Sequence, residues 1–335
     1  MPRRKGCDIV KALIPAAGIG TRLRPHTYTL PKALLYVAGR PIISHILDEV
    51  RELDLSSIVL VVGYKGELIE EYVSKKYKDL EIEYVYQAER KGIGHAVHMT
   101  RDVADAGEPL LIILGDTILK TDLKQIVRVG TNALGVKEVE DPRRFGVCEV
   151  ANGWIVRLVE KPKDPPSNLA IVGLYYITDS RLLFETLDEQ QEKNITNRGE
   201  YQITDALQMM IDKGAQFAPF EIEDWFDCGK PEALLDTNRQ LLIGHDEYPP
   251  VEGSIILPPV AIAPTAKIVS SIIGPYVSIA SDSVVENSIV RDSVLDQKSS
   301  VSDCLLERSI VGSHAVIRGG FQSLNIGDSS EVVFK

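Results

Sequence analysis

The sequence predicts an α/β protein in two parts, a Rossmann-like, mostly parallel sheet covered by helices and then a left-handed parallel β-helix. Three observations predict it. Through the first 245 residues, short apolar runs alternate with segments whose apolar residues fall at helical spacing, the pattern of a parallel sheet with helices on both faces. Two of those runs end in a Gly-rich loop and in an aspartate, at the strand ends where such sheets bind ligands. After about residue 250, apolar residues recur roughly every six positions.

The elements follow in order. Residues 8–15 (DIVKALIP) read as a buried strand leading into AAGIGTRLRP, and residues 41–53 (PIISHILDEVREL) as a helix with Pro41 near its first turn. SSIVLVVG, EIEYVYQ and PLLIILGD (109–116) read as strands. GELIEEYVSKKY reads as a helix, and GIGHAVHMTRDVA is compatible with one. FGVCEV and WIVRLVEKP flank Asn152-Gly153, a hairpin signal. LAIVGLYYI (169–177) and QFAPFEIE read as further strands, and PEALLDTNRQLLIG as a helix leaving the domain. The expected division is a catalytic domain over 1–245 and a β-helix over 246–335. In the tail, Ile262 and Ile268, then Ile273, Ile279 and Val285, then Val311 and Ile317, mark six-residue units. The phase slips after Ile268 and is poor between 291 and 303.

The chain has 335 residues with a formal net charge of -11, so the basic stripe of a general nucleic-acid binder is not expected. No apolar run approaches the ~20 residues of a membrane span. Cys7, Cys148, Cys228 and Cys304 are scattered without CxxC spacing, which suits a reducing cytoplasm and suggests neither a zinc knuckle nor a redox pair. The start, though basic, does not read as a signal peptide.

Ala16-Ala17-Gly18-Ile19-Gly20-Thr21-Arg22 can bring backbone N–H groups close to an anion at a helix start. By itself it is also compatible with a tight turn. No GK[ST] follows, and Leu23 stands where a dinucleotide fingerprint needs its third glycine. Asp116 ends an apolar run, where a turn or cap role competes with a functional one. His95 and His98 stand at i, i+3, but no third ligand accompanies them, so a metal pair is not favoured.

The combined pattern A-A-G-x-G-T-R-L-x-P, P-K-A-L-L and G-R-P-I-I resembles the sugar-1-phosphate nucleotidylyltransferases. Within them the chain is most similar to the long glucose-1-phosphate thymidylyltransferases with a β-helical tail. The resemblance covers residues 10–245, and the tail in type. It implies transfer of a nucleotidyl group from a nucleoside triphosphate, dTTP first, to glucose 1-phosphate with release of pyrophosphate. UTP-dependent transfer to glucose or N-acetylhexosamine phosphates is the alternative. A bifunctional acyltransferase is a minor reading, since His314 is the only tail histidine after 245. A non-catalytic sensing subunit is another, disfavoured because Arg22, Lys32, Asp116, Lys161 and Asp227 are all present.

The resemblance also implies roles. Arg22 clamps the triphosphate, Lys32 assists at the α-phosphate or pyrophosphate, and Lys161 binds the sugar phosphate. Ala16, Ala17, Gly18, Gly20 and Thr21 cradle the nucleotide, while Gln87 and Gly92 read its base. Gly146, Glu160 and Ile171 hold the sugar. Asp116 and Asp227, the latter in Trp225-Phe226-Asp227-Cys228-Gly229, bind Mg²⁺, with Cys228 where the family has threonine. Arg198-Gly199-Glu200-Tyr201-Gln202-Ile203-Thr204-Asp205 is expected to be scaffold beneath the sugar. No general base is demanded, because a phosphate dianion is already a nucleophile and positioning with charge stabilisation suffices. A homo-oligomer assembled partly through the β-helix is expected.

Overall fold

The computed structural model describes residues 10–104 and 107–319. Cys7 and the last part of the tail lie outside them. The described residues form two compact units, one holding those up to Leu35 with Arg40–Leu234, the other Tyr36–Gly39 with those from Leu235 onward. The sequence reading draws its boundary after residue 245, whereas this division falls inside the helix Pro231–Leu242. The reason is local: Asn238, fully buried, accepts hydrogen bonds at Oδ1 from the Ala38 N–H (2.9 Å) and the Ser278 hydroxyl (2.6 Å) and donates to the Tyr276 carbonyl (3.1 Å).

The first unit is built on a nine-stranded mixed sheet. Its heart is parallel: Leu110–Ile113, Val10–Pro15, Leu55–Val62 and Ile82–Tyr86 lie side by side in that order. These are the apolar runs of the sequence, and their side chains are almost completely buried through the first three, as a sheet covered on both faces requires. Antiparallel strands extend the sheet beyond Leu110–Ile113. Leu169–Ile177 comes first, followed by Gly146–Ala151 and Trp154–Glu160. The hairpin between the last two turns at Asn152 (φ 53°) and Gly153 (φ 81°). Both central residues are left-handed, as a tight type I′ turn demands.

Several elements differ from the sequence reading. The first helix runs from Ile42 to Val50, and the segment after Gly92 forms two short helices, Ile93–His98 and Arg101–Ala104. The break falls at Thr100, whose hydroxyl bonds back to the Val97 carbonyl (2.7 Å) and competes with helix continuation. Asp116 is not the last residue of a strand. It lies in the turn between Leu110–Ile113 and a second strand, Thr117–Lys120, which pairs antiparallel with Asp224–Asp227. Asn132–Glu138, not anticipated, is a further sheet strand between Leu169–Ile177 and Phe217–Glu221.

The second unit contains three parallel sheets of four short strands each, the arrangement of a left-handed β-helix. Three six-residue sides would give an 18-residue coil. The register instead steps 17 residues from Ile255 to Ile272 and 17 to Ile289, then 16 to Leu305. The inward ladder shows where residues are dropped: Ile262 to Ile268 is six, Ile268 to Ile273 five, and Val285, Val290 and Leu295 follow at five. Corners absorb the loss while inward side chains stay stacked, which accounts for the phase slip read from the sequence. Among the described residues no helix is long and apolar enough to cross a membrane.

Candidate active site

Two cavities open at the carboxyl ends of the parallel strands. The larger, about 790 Å³, is lined by the 15–21 loop, Lys32, Gln87–Ile93, Asp116 and Lys161. The smaller, about 320 Å³, is lined by Arg22, Gly146, Glu160, Ile171, Asp227 and again Asp116 and Lys161. Every residue given a binding or catalytic role by the resemblance therefore borders one cavity or both, and Asp116 and Lys161 are among those where the two meet.

In the larger cavity the chain leaves the strand Val10–Pro15 and turns through the glycine loop into a short 3-10 helix, Thr21–Leu23. Among the described residues, no backbone acceptor takes the N–H groups of Gly18, Ile19, Gly20 or Thr21, so they are available to an anion. Across the cavity, Gln87 is buried and its amide nitrogen serves the protein, donating to the Gly92 carbonyl (3.1 Å) and lying 3.0 Å from His95 Nδ1. The sequence reading offered both halves of this amide to a base. Among the described residues, no hydrogen bond takes up its carbonyl oxygen. Burial, aided by Lys91, pushes His95 below the usual histidine range, so its ring is neutral near pH 7 and Nδ1 can accept. His98 turns elsewhere, to Asp188 (2.8 Å).

Gly92 has φ 100°, and a Cβ there would sit 2.5 Å from the Tyr201 carbonyl oxygen. The loop is clamped at that point: Tyr201 N–H donates to Lys91 (2.7 Å), and its carbonyl accepts from Gly94 (2.8 Å). Gly92→Ala must displace the loop. With the loop facing the nucleotide, as the resemblance implies, the KM for the triphosphate should rise at least about tenfold with a smaller change in kcat. Steady-state kinetics checks this, and an unchanged KM would remove the loop from the nucleotide site.

In the smaller cavity Glu160 is enclosed, its side chain 8% exposed. One carboxylate oxygen accepts from the Thr204 hydroxyl (2.7 Å), and the other pairs with Lys161 Nζ (2.8 Å). Thr204, read from the sequence as scaffold, thus orients a cavity carboxylate directly. Lys161 has φ 43°, the left-handed region, and its N–H is tied to the Phe145 carbonyl (3.0 Å). Such a backbone costs a lysine ~1–2 kcal/mol, and strained residues of this kind cluster at functional sites.

Sequence reasoning missed Tyr175 and Trp225 as lining residues. Tyr175 lies in an apolar strand and reads as core. Its phenol borders the cavity, where burial and then the Glu160 and Asp116 carboxylates raise its pKa and keep it protonated. Trp225 packs edge-on against Phe145 with ring centres 4.8 Å apart. Its buried indole N–H has no partner among the described residues.

At the junction, Lys32 Nζ lies 2.6 Å from Asp116 Oδ2. Burial opposes ionisation of Asp116, but the Lys32 ammonium beside it and the Arg22 guanidinium hold its carboxyl below the usual range. Strand pairing sets Asp227 opposite Thr117, and Cys228 N–H lies 3.3 Å from the Asp116 carbonyl. The two carboxylates thus come to one cavity from segments over a hundred residues apart in sequence. Gly229 keeps the space beside Asp227 open, since a Cβ there would lie 2.8 Å from Asp227 Oδ1 and 3.0 Å from Arg22 Nη2. Arg22 therefore lines the smaller cavity beside Asp227, whereas the resemblance put it on the triphosphate.

The nucleotidyl transferase family pattern matches residues 11–243, which contain both cavities. The chain belongs to the nucleotidyl transferase family. This transferase is 32% identical over 339 residues to the glucose-1-phosphate thymidylyltransferase of Streptomyces griseus, covering 92% of this chain and 93% of that one. It is 36% identical over 241 residues to the UTP–glucose-1-phosphate uridylyltransferase AglF of Haloferax volcanii, covering 69% and 96%. Among solved structures, UDP-glucose pyrophosphorylase complexed with UDP-glucose superposes with a TM-score of 0.62 at 29% identity, covering 70% of the transferase and 99% of that chain.

Proposed function

We propose that this transferase joins a nucleoside triphosphate to a sugar 1-phosphate, dTTP and glucose 1-phosphate by preference, releasing pyrophosphate. The observation that carries the reading is the meeting of the two cavities at Asp116 and Lys161. A triphosphate lying in the larger cavity places its α-phosphorus there, within reach of a sugar phosphate in the smaller one. A sugar-phosphate oxygen then forms a bond to the α-phosphorus while the bond to the oxygen bridging to the β-phosphate breaks in line. Pyrophosphate carries away the electron pair, and no proton has to move.

Each residue then has a task. The free carbonyl oxygen of Gln87 accepts the imide N–H of a pyrimidine such as thymine or uracil. The glycine loop and Lys32 take the triphosphate, and Lys161 and Arg22 offset the repulsion between the two phosphates. At about 4 Å each pair of unit charges repels by ~4 kcal/mol at an effective dielectric near 20. Glu160, Tyr175 and the unpartnered indole of Trp225 offer acceptors and donors to the sugar. Two carboxylates with open space beside Asp227 suit Mg²⁺, which takes few protein ligands and shares its shell with phosphate and water. Bound to Asp116 and Asp227, the ion would neutralise phosphate oxygens. We place the enzyme in the cytoplasm, in keeping with its scattered cysteines.

The full-length match to a thymidylyltransferase, tail included, supports dTTP. The higher identity to a UTP-dependent relative over the catalytic part favours UTP as the second reading. Pyrophosphate release across a panel of triphosphates and sugar 1-phosphates decides. The highest kcat/KM should belong to dTTP with glucose 1-phosphate. A clear preference for UTP selects the second reading, and no release from any pair rejects transfer altogether.

We further place subunit assembly on the β-helix. In one of its sheets Ile255, Ile272, Ile289 and Leu305 stack in register as an outward column, with Leu305 80% exposed. Four aliphatic rungs facing water are unusual for a monomer. Leu305→Asp should yield a smaller particle by light scattering with specific activity largely kept. An unchanged mass would take this face out of the assembly.

A further inference from the structure

Lys32 is enclosed to a degree rare for lysine, its side chain 8% exposed while that of Asp116 is 41% exposed. Its ammonium carries three donors. One is spent on Asp116 Oδ2 at 2.6 Å, and among the described residues no acceptor is bonded to the other two. Lys32 borders the larger cavity. Its stem is fixed beneath the glycine loop: a Cβ on Gly20 would lie 3.1 Å from Lys32 Cβ and 3.4 Å from Cδ. The side chain therefore cannot leave the cavity as a whole. It can only swing its end.

On the functional reading above, the carboxylate that Lys32 grips is a ligand of the divalent cation. An ammonium at 2.6 Å and a hard dication at ~2.1 Å cannot share one carboxylate oxygen without strong mutual repulsion. We propose that Lys32 stands in for the cation. In the nucleotide-free protein its ammonium neutralises Asp116. When the metal-loaded triphosphate arrives, Lys32 releases Asp116 and turns its ammonium to the triphosphate oxygens. The residue thus holds free metal off the site and ties occupation of Asp116 to the arrival of nucleotide. Its two unspent donors and the pinned stem fit a short swing between two anions.

The test measures Mn²⁺ binding to the nucleotide-free protein by the electron paramagnetic resonance signal of the free ion. Lys32→Met and Lys32→Gln, which remove the charge at similar length, should bind Mn²⁺ about tenfold more tightly than the parent. Lys32→Arg, which keeps the charge, should remain as weak as the parent. Having both neutral variants guards against one failing to fold, which a melting curve shows. Unchanged or weaker Mn²⁺ binding in the folded neutral variants overturns the proposal. Asp116→Asn with dTTP and Mn²⁺ separates the two levels of argument. If it binds the metal as the parent does, the metal assignment of Asp116 fails and the stand-in with it. If it loses the metal while the neutral Lys32 variants bind no better than the parent, the stand-in alone fails.

Discussion

Asp116→Asn is expected to fold normally and to turn over at least ~10³-fold more slowly, the loss of roughly 4 kcal/mol of transition-state stabilisation. The amide is isosteric, so packing at the turn between the two short strands is kept. What is lost is the negative charge that pairs with Lys32 and faces Arg22 and that, on the proposed function, holds the metal near the α-phosphate. Circular dichroism and pyrophosphate release together check this, and near-normal turnover would remove Asp116 from the metal site. The variant also carries a pH signature. The native pKa of Asp116 is lowered, so the stability its pairing contributes is fully present above the ordinary aspartate value near ~4. It is lost as pH falls through the lower native value. The gap in Tm between parent and variant should be constant across neutral pH and close in acid.

Lys161 gives the second large effect, and here activity and stability part company. Lys161→Ala and Lys161→Gly both remove the ammonium from the junction of the cavities. Each should lower kcat by about 10²–10³-fold, the range seen when one preorganised charge-stabilising group is removed. Among the described residues, both leave the enclosed Glu160 carboxylate with the Thr204 hydroxyl as its one hydrogen-bond partner. They differ only in the backbone. At φ 43° alanine keeps the strain and glycine relieves it, so Lys161→Gly should be the more stable of the two by ~1 kcal/mol. Equal stability would mean that the backbone is unstrained. Full activity in either would mean that the ammonium is not needed at the reacting phosphates.

The parts of the fold that the sequence discloses are those governed by local pattern. The central parallel strands are largely apolar because both faces are covered, while Ile82–Tyr86 at the sheet edge is only partly buried, and the hairpin announces itself through Asn152-Gly153. Thr117–Lys120 and Asp224–Asp227 are too short to show a period, and their pairing is non-local. Yet this small ribbon brings Asp116 and Asp227 to one cavity. Composition and spacing could nominate each aspartate but could not join them, and only the family resemblance suggested that they act together. The same holds for Lys32. A lysine in a proline-flanked loop reads as a phosphate contact or a solvated charge. That it lies buried against Asp116 depends on a partner 84 residues away. Asn132–Glu138 was missed because Asn132, Gly135 and Lys137 interrupt any apolar run that a buried strand would show.

The segment from Glu200 to Thr204 has a consequence for redesign. Tyr201 clamps the Lys91–Gly94 loop of the larger cavity, and three residues later Thr204 fixes the Glu160 carboxylate of the smaller one, the sides that the proposed function gives to the nucleobase and the sugar. On that reading, donor choice and acceptor choice are mechanically geared through one short stretch of chain. A variant selected to accept a new hexose phosphate by moving this stretch should drift in its preference among triphosphates as well. Libraries that vary the two specificities separately will find them correlated.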